Sequence, residues 1–183
     1  MKNSSLPRKL GALRRWWQIT KAITAIISYL FLEPFSGSYW LAQATYYEAR
    51  GESLRGQLAV VNVILNRTES PHFPNDISEV VDDGRERGTS CDFSYRCDKE
   101  PNTPFWHSIA NNEFGTWVWI RLQSWVYYLL HNSLGLFDVT KSATYYKKTT
   151  VVSSYFSRLI QSGVLTKTVT IEQHTFYFFS PAR

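Results

Sequence analysis

The stretch Leu54 to Arg67 constrains the fold more than any other part of this sequence. Leu58, Ala59, Val60, Val61, Val63, Ile64 and Leu65 are apolar nearly all round a helical wheel, so a helix over about 54–67 is predicted to be buried on every side. Such a helix must be wrapped by other elements, and 183 residues supply about one domain's worth of them. Ser38 is a candidate cap for a helix over about 39–50, with Gly51 just past its end as the C′ residue. Phe114 to Leu130 is apolar and aromatic at helical spacing, while Arg121 and Gln123 argue against a membrane span. Ser70 to Pro74 and Asp82 to Asp98 hold turn residues, charge and both cysteines, and read as loops. Near the C-terminus Thr166 to Ile171 alternates and His174 to Phe179 is β-prone, which predicts a small sheet. Helices first and short strands last give an α+β domain, mainly helical with a small C-terminal β-sheet.

Charge is distributed unevenly. The net charge is +5, yet Lys2, Arg8, Lys9, Arg14, Arg15 and Lys21 stand in the first 32 residues with no acid among them. The remaining 14 bases meet 15 acids, so the body is close to neutral. A nucleic-acid-binding fold spreads bases over its own surface, and this pattern excludes nucleic acid as a partner. Residues 1–37 instead read as a basic amphipathic leader and linker, ahead of a domain over 38–183. On a helix, Trp16, Ile19, Ile23, Ile26, Ile27 and Leu30 share one face, while Arg14, Gln18, Lys21, Ala25 and Ser28 share the other. The apolar run from Ala22 to Leu32 is too short to span a bilayer of roughly 30 Å. A membrane contact through residues 14–32, by interfacial association or as an uncleaved signal-anchor, is the expectation. An ordinary helix packed on the body would carry the same pattern. Pro34, Ser36, Gly37 and Ser38 make the linker.

The chemistry concentrates in Ala44-Thr-Tyr-Tyr-Glu48-Ala-Arg-Gly-Glu52, at the end of the first body helix. Glu48 and Glu52 are four residues apart, which brings two carboxylates near one helix face. A helix C-terminus presents unpaired carbonyls and partial negative charge, and with Tyr46 and Tyr47 alongside it raises the proton affinity of a nearby carboxyl. A carboxylic acid that keeps its proton near neutral pH suits general acid cleavage of a glycosidic bond. On these residues alone, a surface glutamate paired with Arg50 or Arg55 fits as well.

Tyr47 to Ser53, Gly56 to Arg67, Ser70-Pro-His-Phe-Pro74, Ile77 to Val81, Cys91 to Asp98, Asp138 to Tyr146 and Ile171 to Tyr177, in this order, resemble the cell-wall hydrolases of the SleB type, which include the spore-cortex-lytic enzymes. The resemblance implies a compact lysozyme-like domain that cuts the glycan strand of peptidoglycan, acts as a monomer in the cell envelope or periplasm, and matches its catalytic glutamate with Glu48. A phage-encoded member would begin as a cytoplasmic precursor, in the manner of an endolysin. Three departures stand out: Tyr146 where many members have His, Ser142 where Gly is usual, and a longer, more aromatic segment between Pro104 and Asp138. Substrate contacts are expected from Tyr46, Tyr47, Glu52, Phe93, Tyr95, Tyr145 and His174, with Trp106 as a further ring, although such aromatics also serve as core.

One well-placed glutamate with no confident second carboxylate favours a lytic transglycosylase over retaining or inverting hydrolysis. Asp92, Asp98 and Glu52 are the runner-up partners that would make the enzyme a hydrolytic muramidase. An N-acetylmuramoyl-L-alanine amidase or an inactive peptidoglycan-binding protein would also fit the resemblance. The histidines His72, His107, His131 and His174 are scattered, so no metal site and no cofactor are expected. Cys91 and Cys97 read as a disulfide in an oxidising compartment, or as two free thiols in a cytoplasmic precursor.

Overall fold

The structure, a computed structural model, describes residues 6–32, 36–83, 91–97, 103–134 and 137–181. The chain divides into two units, Met1–Phe35 and Ser36–Arg183. In the first, helix α1 (Leu6–Leu32) is about 40 Å long at 1.5 Å per residue. Trp16, Ile19, Ile23 and Ile27 are exposed on it, and Lys21 Nζ lies 3.5 Å from the centre of the Trp17 ring. Among the described residues, no helix is long and apolar enough to cross a membrane.

The second unit is built around α3 (Leu54–Thr68), which is buried as its composition requires. Helix α2 (Gly37–Ala49) and the short α4 (Ile77–Asp82) cover one side of α3, where Leu41, Val60, Val61, Ile64, Leu65, Val80 and Val81 make the largest core cluster. Fully burying a valine or leucine contributes about 1.5–3 kcal/mol, so this cluster dominates the stability of the unit. Ala59 and Val63, on the other side of α3, meet Ile171 and Phe176 of the sheet. Helices α5 (Pro104–Ala110) and α6 (Phe114–Leu134) follow, and α6 packs Trp117 and Ile120 on Ala42 and Tyr46 of α2.

Three antiparallel strands, β1 (Tyr145–Lys148), β2 (Leu165–Ile171) and β3 (His174–Phe179), form a sheet of order β1-β3-β2. The turn between β2 and β3 carries Glu172 at φ 48°, and the β2–β3 register shifts between Lys167 and Val169. Helix α7 (Ser154–Gln161) bridges β1 and β2, started by Ser153 Oγ accepting from Phe156 N. The α+β class, mainly helical with a small C-terminal sheet, is therefore observed.

Two local expectations are corrected. Ser36, not Ser38, is the N-cap of α2, and the helix absorbs Gly37 and Ser38 from the expected linker. Ser38 is fully buried because Arg121, itself buried on α6, donates from Nη1 to its Oγ at 2.8 Å. Arg121 is thus an internal tie between α2 and α6. The linker residue Pro34 lies outside the described residues.

Candidate active site

Glu48 sits in the last turn of α2, where the helix stops and leaves its final carbonyls without intrahelical partners. Antiparallel pairing sets Tyr146 opposite Phe176 and Lys148 opposite His174. Side chains two apart on a strand share a face, so Tyr146, Lys148, His174 and Phe176 project together from the sheet. The sheet and the end of α2 enclose a cleft of about 730 Å³, lined by Glu48, Arg67, Asp83, Cys91, Asp92, Tyr145, Tyr146, Lys148, Tyr155, Phe156 and His174 among others. Its volume is that of a small-ligand site.

Tyr146 and Glu48 both line the cleft, near enough for the carboxylate to act on the phenol. Desolvation, with the negative charge of Glu48, pushes the Tyr146 phenol well above its ordinary value. Tyr47 stacks on Tyr95 beside Glu48, with ring centres 4.5 Å apart and planes at 17°. Burial likewise holds the Tyr95 phenol well above the usual range.

A second acidic group lies one turn beyond Glu48. Glu52 hydrogen-bonds Glu172, and this bond, together with burial and the charge of its partner, pushes the Glu52 carboxyl up to about 7. Glu172 is held below its ordinary value by the bonds it accepts from Glu52 and from Ser53. The Ser53 backbone N–H donates to Glu172 at 3.1 Å, and the Ser53 hydroxyl also donates to it. His174 Nδ1 stands 3.7 Å from Glu52, and burial and Lys148 keep the imidazole below its usual proton affinity.

The expected site residues divide in two. Glu48, Tyr145 and His174 line the cleft, Tyr47 stacks on Tyr95 near Glu48, and Glu52 lies 3.7 Å from His174. Tyr46, Phe93 and Tyr95, expected to touch sugar, are instead buried in the core, at 0%, 1% and 4% exposure. Tyr46 points into the α2–α6 contact, where its hydroxyl donates to Glu113 at 2.6 Å and its ring meets Trp117 edge-on. Phe93 forms part of an aromatic box around Arg67, with Phe73 and Tyr145, each ring centre 5.0–5.6 Å from the guanidinium carbon. Trp106 is exposed on α5, packed edge-on against Phe105. Arg50 pairs with Glu113 at 3.1 Å.

Of the runner-up carboxylates, Asp92 lies in the cleft and Asp98 falls outside the described residues. Cys91 and Cys97 form a disulfide, with Cα atoms 5.7 Å apart, inside the usual 4.4–6.8 Å. Sequence reasoning overlooked Arg67, Asp83, Glu113 and Glu172. Glu172 lies within a segment that carried the family resemblance, close to His174, and only its pairing with Glu52, so distant in the chain, was unreadable. Among the described residues, no group of three or more His, Cys, Asp or Glu side chains is placed to hold a metal ion.

The family described as Cell Wall Hydrolase matches residues 51–177 of this chain. The spore cortex-lytic enzyme of Bacillus subtilis is 58% identical over 41 residues, which are 22% of this chain and 13% of that protein. That of Halalkalibacterium halodurans is also 58% identical over 41 residues, 12% of its length. The match thus spans about an eighth of the length of these curated relatives. Among solved structures, the catalytic domain of the germination-specific lytic transglycosylase SleB from Bacillus anthracis is 25% identical, covering 77% of this chain and 93% of that one, with a TM-score of 0.45. The SleB catalytic domain from Bacillus cereus is 26% identical, covering 77% and 88%, also with a TM-score of 0.45.

Proposed function

Because the chain belongs to the cell wall hydrolase family, we propose that its Ser36–Arg183 unit cleaves the glycan strand of peptidoglycan as a lytic transglycosylase, with Glu48 as the acid and then the base. The observation that carries this reading is the company Glu48 keeps in the cleft. Glu48 lines the cleft together with Tyr145, Tyr146 and His174, at the end of α2, while Asp92 in the same wall is paired with Arg67. Glu48 first gives its proton to the glycosidic oxygen as the bond from that oxygen to C1 of the muramyl residue breaks. The resulting carboxylate removes the proton from the 6-hydroxyl of the same residue, and O6 closes on C1 to form a 1,6-anhydro ring. The proton is back on Glu48, and no water is consumed.

A second reading, hydrolytic muramidase, draws on Asp83 and Asp92 in the same cleft, where one of them would act across the scissile bond. Mass spectrometry of the products from purified peptidoglycan separates the two: anhydro-muramyl ends support the transglycosylase, and reducing ends the muramidase. Release of intact stem peptides would make the enzyme an amidase. Glu48→Gln keeps the shape and removes the donated proton, so activity is expected to fall by about 10²–10⁴-fold with the fold intact. Turnover near wild type would move the acid elsewhere, and binding without any cleavage by the unaltered chain would make this a wall-binding protein.

For the leader, we propose that α1 lies in the headgroup region of an anionic membrane. Trp16, Ile19, Ile23 and Ile27 present an exposed apolar face backed by Arg14, Arg15 and Lys21. Each base near such a surface contributes about 1 kcal/mol. The full chain is expected to float with vesicles containing phosphatidylglycerol and not with neutral ones, and a chain lacking residues 1–35 with neither. Equal flotation of both chains would refute the contact.

A further inference from the structure

The sequence reads Tyr146 as a departure from the family pattern; the structure gives this ring a position next to Glu48. Tyr146 occupies the second place of β1, opposite Phe176 of β3. Its ring lies 5.8 Å from that of Phe176 and 5.5 Å, nearly perpendicular, from that of His174. It packs against both the α2–α3–α4 core cluster and the α3–sheet cluster. A tyrosine so held has few rotamers to lose, and it lines the cleft with Glu48.

We propose that Tyr146 is the positioning residue for Glu48, its hydroxyl donating to the carboxyl and fixing it toward the substrate. This rests on the reading of Glu48 as acid and base. Glu48 arrives on a helix end and Tyr146 on a strand, so the hydrogen bond joins two separately anchored elements at the point where a proton must be delivered. Misplacement of a catalytic group by about 1 Å costs on the order of 100-fold, so an anchor from the opposite wall has a measurable effect. The phenol stays protonated through the working range and therefore remains a donor in both halves of the reaction. When Glu48 has given up its proton, that donated bond favours the carboxylate that must next act as base.

Tyr146→Phe removes the hydroxyl and keeps the ring. Turnover of purified peptidoglycan fragments is expected to fall roughly 10- to 100-fold with KM within about twofold, as for loss of a hydrogen bond to a charged group. The sign of the pH effect follows. Without the donor the carboxylate is less favoured, Glu48 holds its proton longer, and the basic limb of the kcat/KM profile moves to higher pH. Arg67, Asp83, Asp92, Lys148 and His174 also face this part of the cleft, the buried Tyr95 phenol stands within reach of Glu48, and all are unchanged in the variant, so the difference between the two profiles reports on the hydroxyl alone.

A purely structural role would lower the melting temperature without moving that limb, and that result would overturn the proposal. Unchanged turnover and limb in a folded variant would overturn it too. If the phenylalanine protein does not fold, 3-fluorotyrosine at position 146 carries the test. Its stronger donor is expected to move the limb to lower pH, and no movement refutes the proposal. The failure of the underlying reading is distinct: it appears as an active Glu48→Gln enzyme, whatever Tyr146 does.

Discussion

Arg67 donates from Nη1 to Asp92 Oδ2 at 2.8 Å, along the wall of the cleft that holds Glu48. The same guanidinium donates from Nε to the Thr144 carbonyl at 2.7 Å and is 4% exposed. Arg67 therefore ties α3 to the residue just before β1 and to the disulfide loop at once. A carboxylate committed to a buried cation is a poor nucleophile, because attack would break the pair and leave the arginine charge uncompensated.

Asp92→Asn is accordingly expected to retain glycan cleavage within about tenfold while losing roughly 1–2 kcal/mol of stability, since the lost bond involves a charged group on a partly exposed partner. Activity assays beside chemical denaturation check this. A loss of about 10²–10⁴-fold in turnover would instead place Asp92 in the chemistry and support hydrolysis.

The Glu52–Glu172 pair predicts a pH dependence of stability. Glu52 has its folded value raised to about 7, so the stability it contributes is fully present below its ordinary value of 4.5 and lost as the pH rises through about 7. Glu172, held low, contributes in the opposite sense, at more acidic pH. The melting temperature is therefore expected to decline between about pH 5 and 8. Glu52→Gln keeps a donor for Glu172 without the titration, so its profile should be flatter. It should melt higher than the unaltered chain at pH 8 by roughly 2–4 °C, the equivalent of about 1 kcal/mol in a chain of this size. Parallel profiles for the two proteins would show that the pair does not share a proton.

Much of the scaffold was legible in sequence because its signals are periodic. The apolar wheel of Leu58 to Leu65 required burial, and alternation over Thr166 to Ile171 required a strand. What stayed hidden depends on distant partners. Tyr145–Lys148 shows no alternation and becomes a strand through its pairing with β3. Helix α7 did carry local cues, the Ser153 cap and the apolar Tyr155, Phe156, Leu159 and Ile160 at helical spacing, but in a run of only eight residues. At the site, the segment around Glu48 pointed to the residue that lines the cleft, whereas Tyr46, Phe93 and Tyr95, assigned to the substrate, are buried. Nothing in a sequence separates an aromatic ring that lines a cleft from one that seals an arginine or a helix contact. Tyr146, read only as a missing histidine, turned out to adjoin Glu48.

Cys91 and Cys97 enclose a loop whose first cysteine lines the cleft and which carries Asp92, Phe93 and Tyr95. For so short a loop the chain-entropy contribution is about 2 kcal/mol. Replacing both cysteines with serine is expected to lower the melting temperature by roughly 4–8 °C, at about 2–4 °C per kcal/mol, and to reduce activity further as Asp92 and the Tyr95 stack loosen. Calorimetry of the oxidised, reduced and double-serine proteins checks this. Identical melting of all three would mean that the bridge does not restrain the loop.

Gly56 lies in the first turn of α3, where alanine would ordinarily gain up to about 1 kcal/mol over glycine from helix propensity. Here a Cβ would stand 2.7 Å from Glu52 Cβ and 3.0 Å from Glu172 Oε2. The first of these atoms is the root of a side chain held by backbone, so it cannot swing aside as a chain end would. Relieving the clash means moving the α2–α3 turn, the very segment that sets Glu52 against Glu172 and His174. Gly56→Ala is therefore expected to destabilise the protein by on the order of 1–2 kcal/mol, overpacking outweighing propensity. It should also flatten the decline in stability between about pH 5 and 8, because separating the carboxyls returns Glu52 toward its ordinary value. Denaturant titrations at both ends of that range measure the two effects together. A gain in stability at both ends would mean that the turn yields freely and that the close approach of Gly56 to the acidic pair does not hold them together.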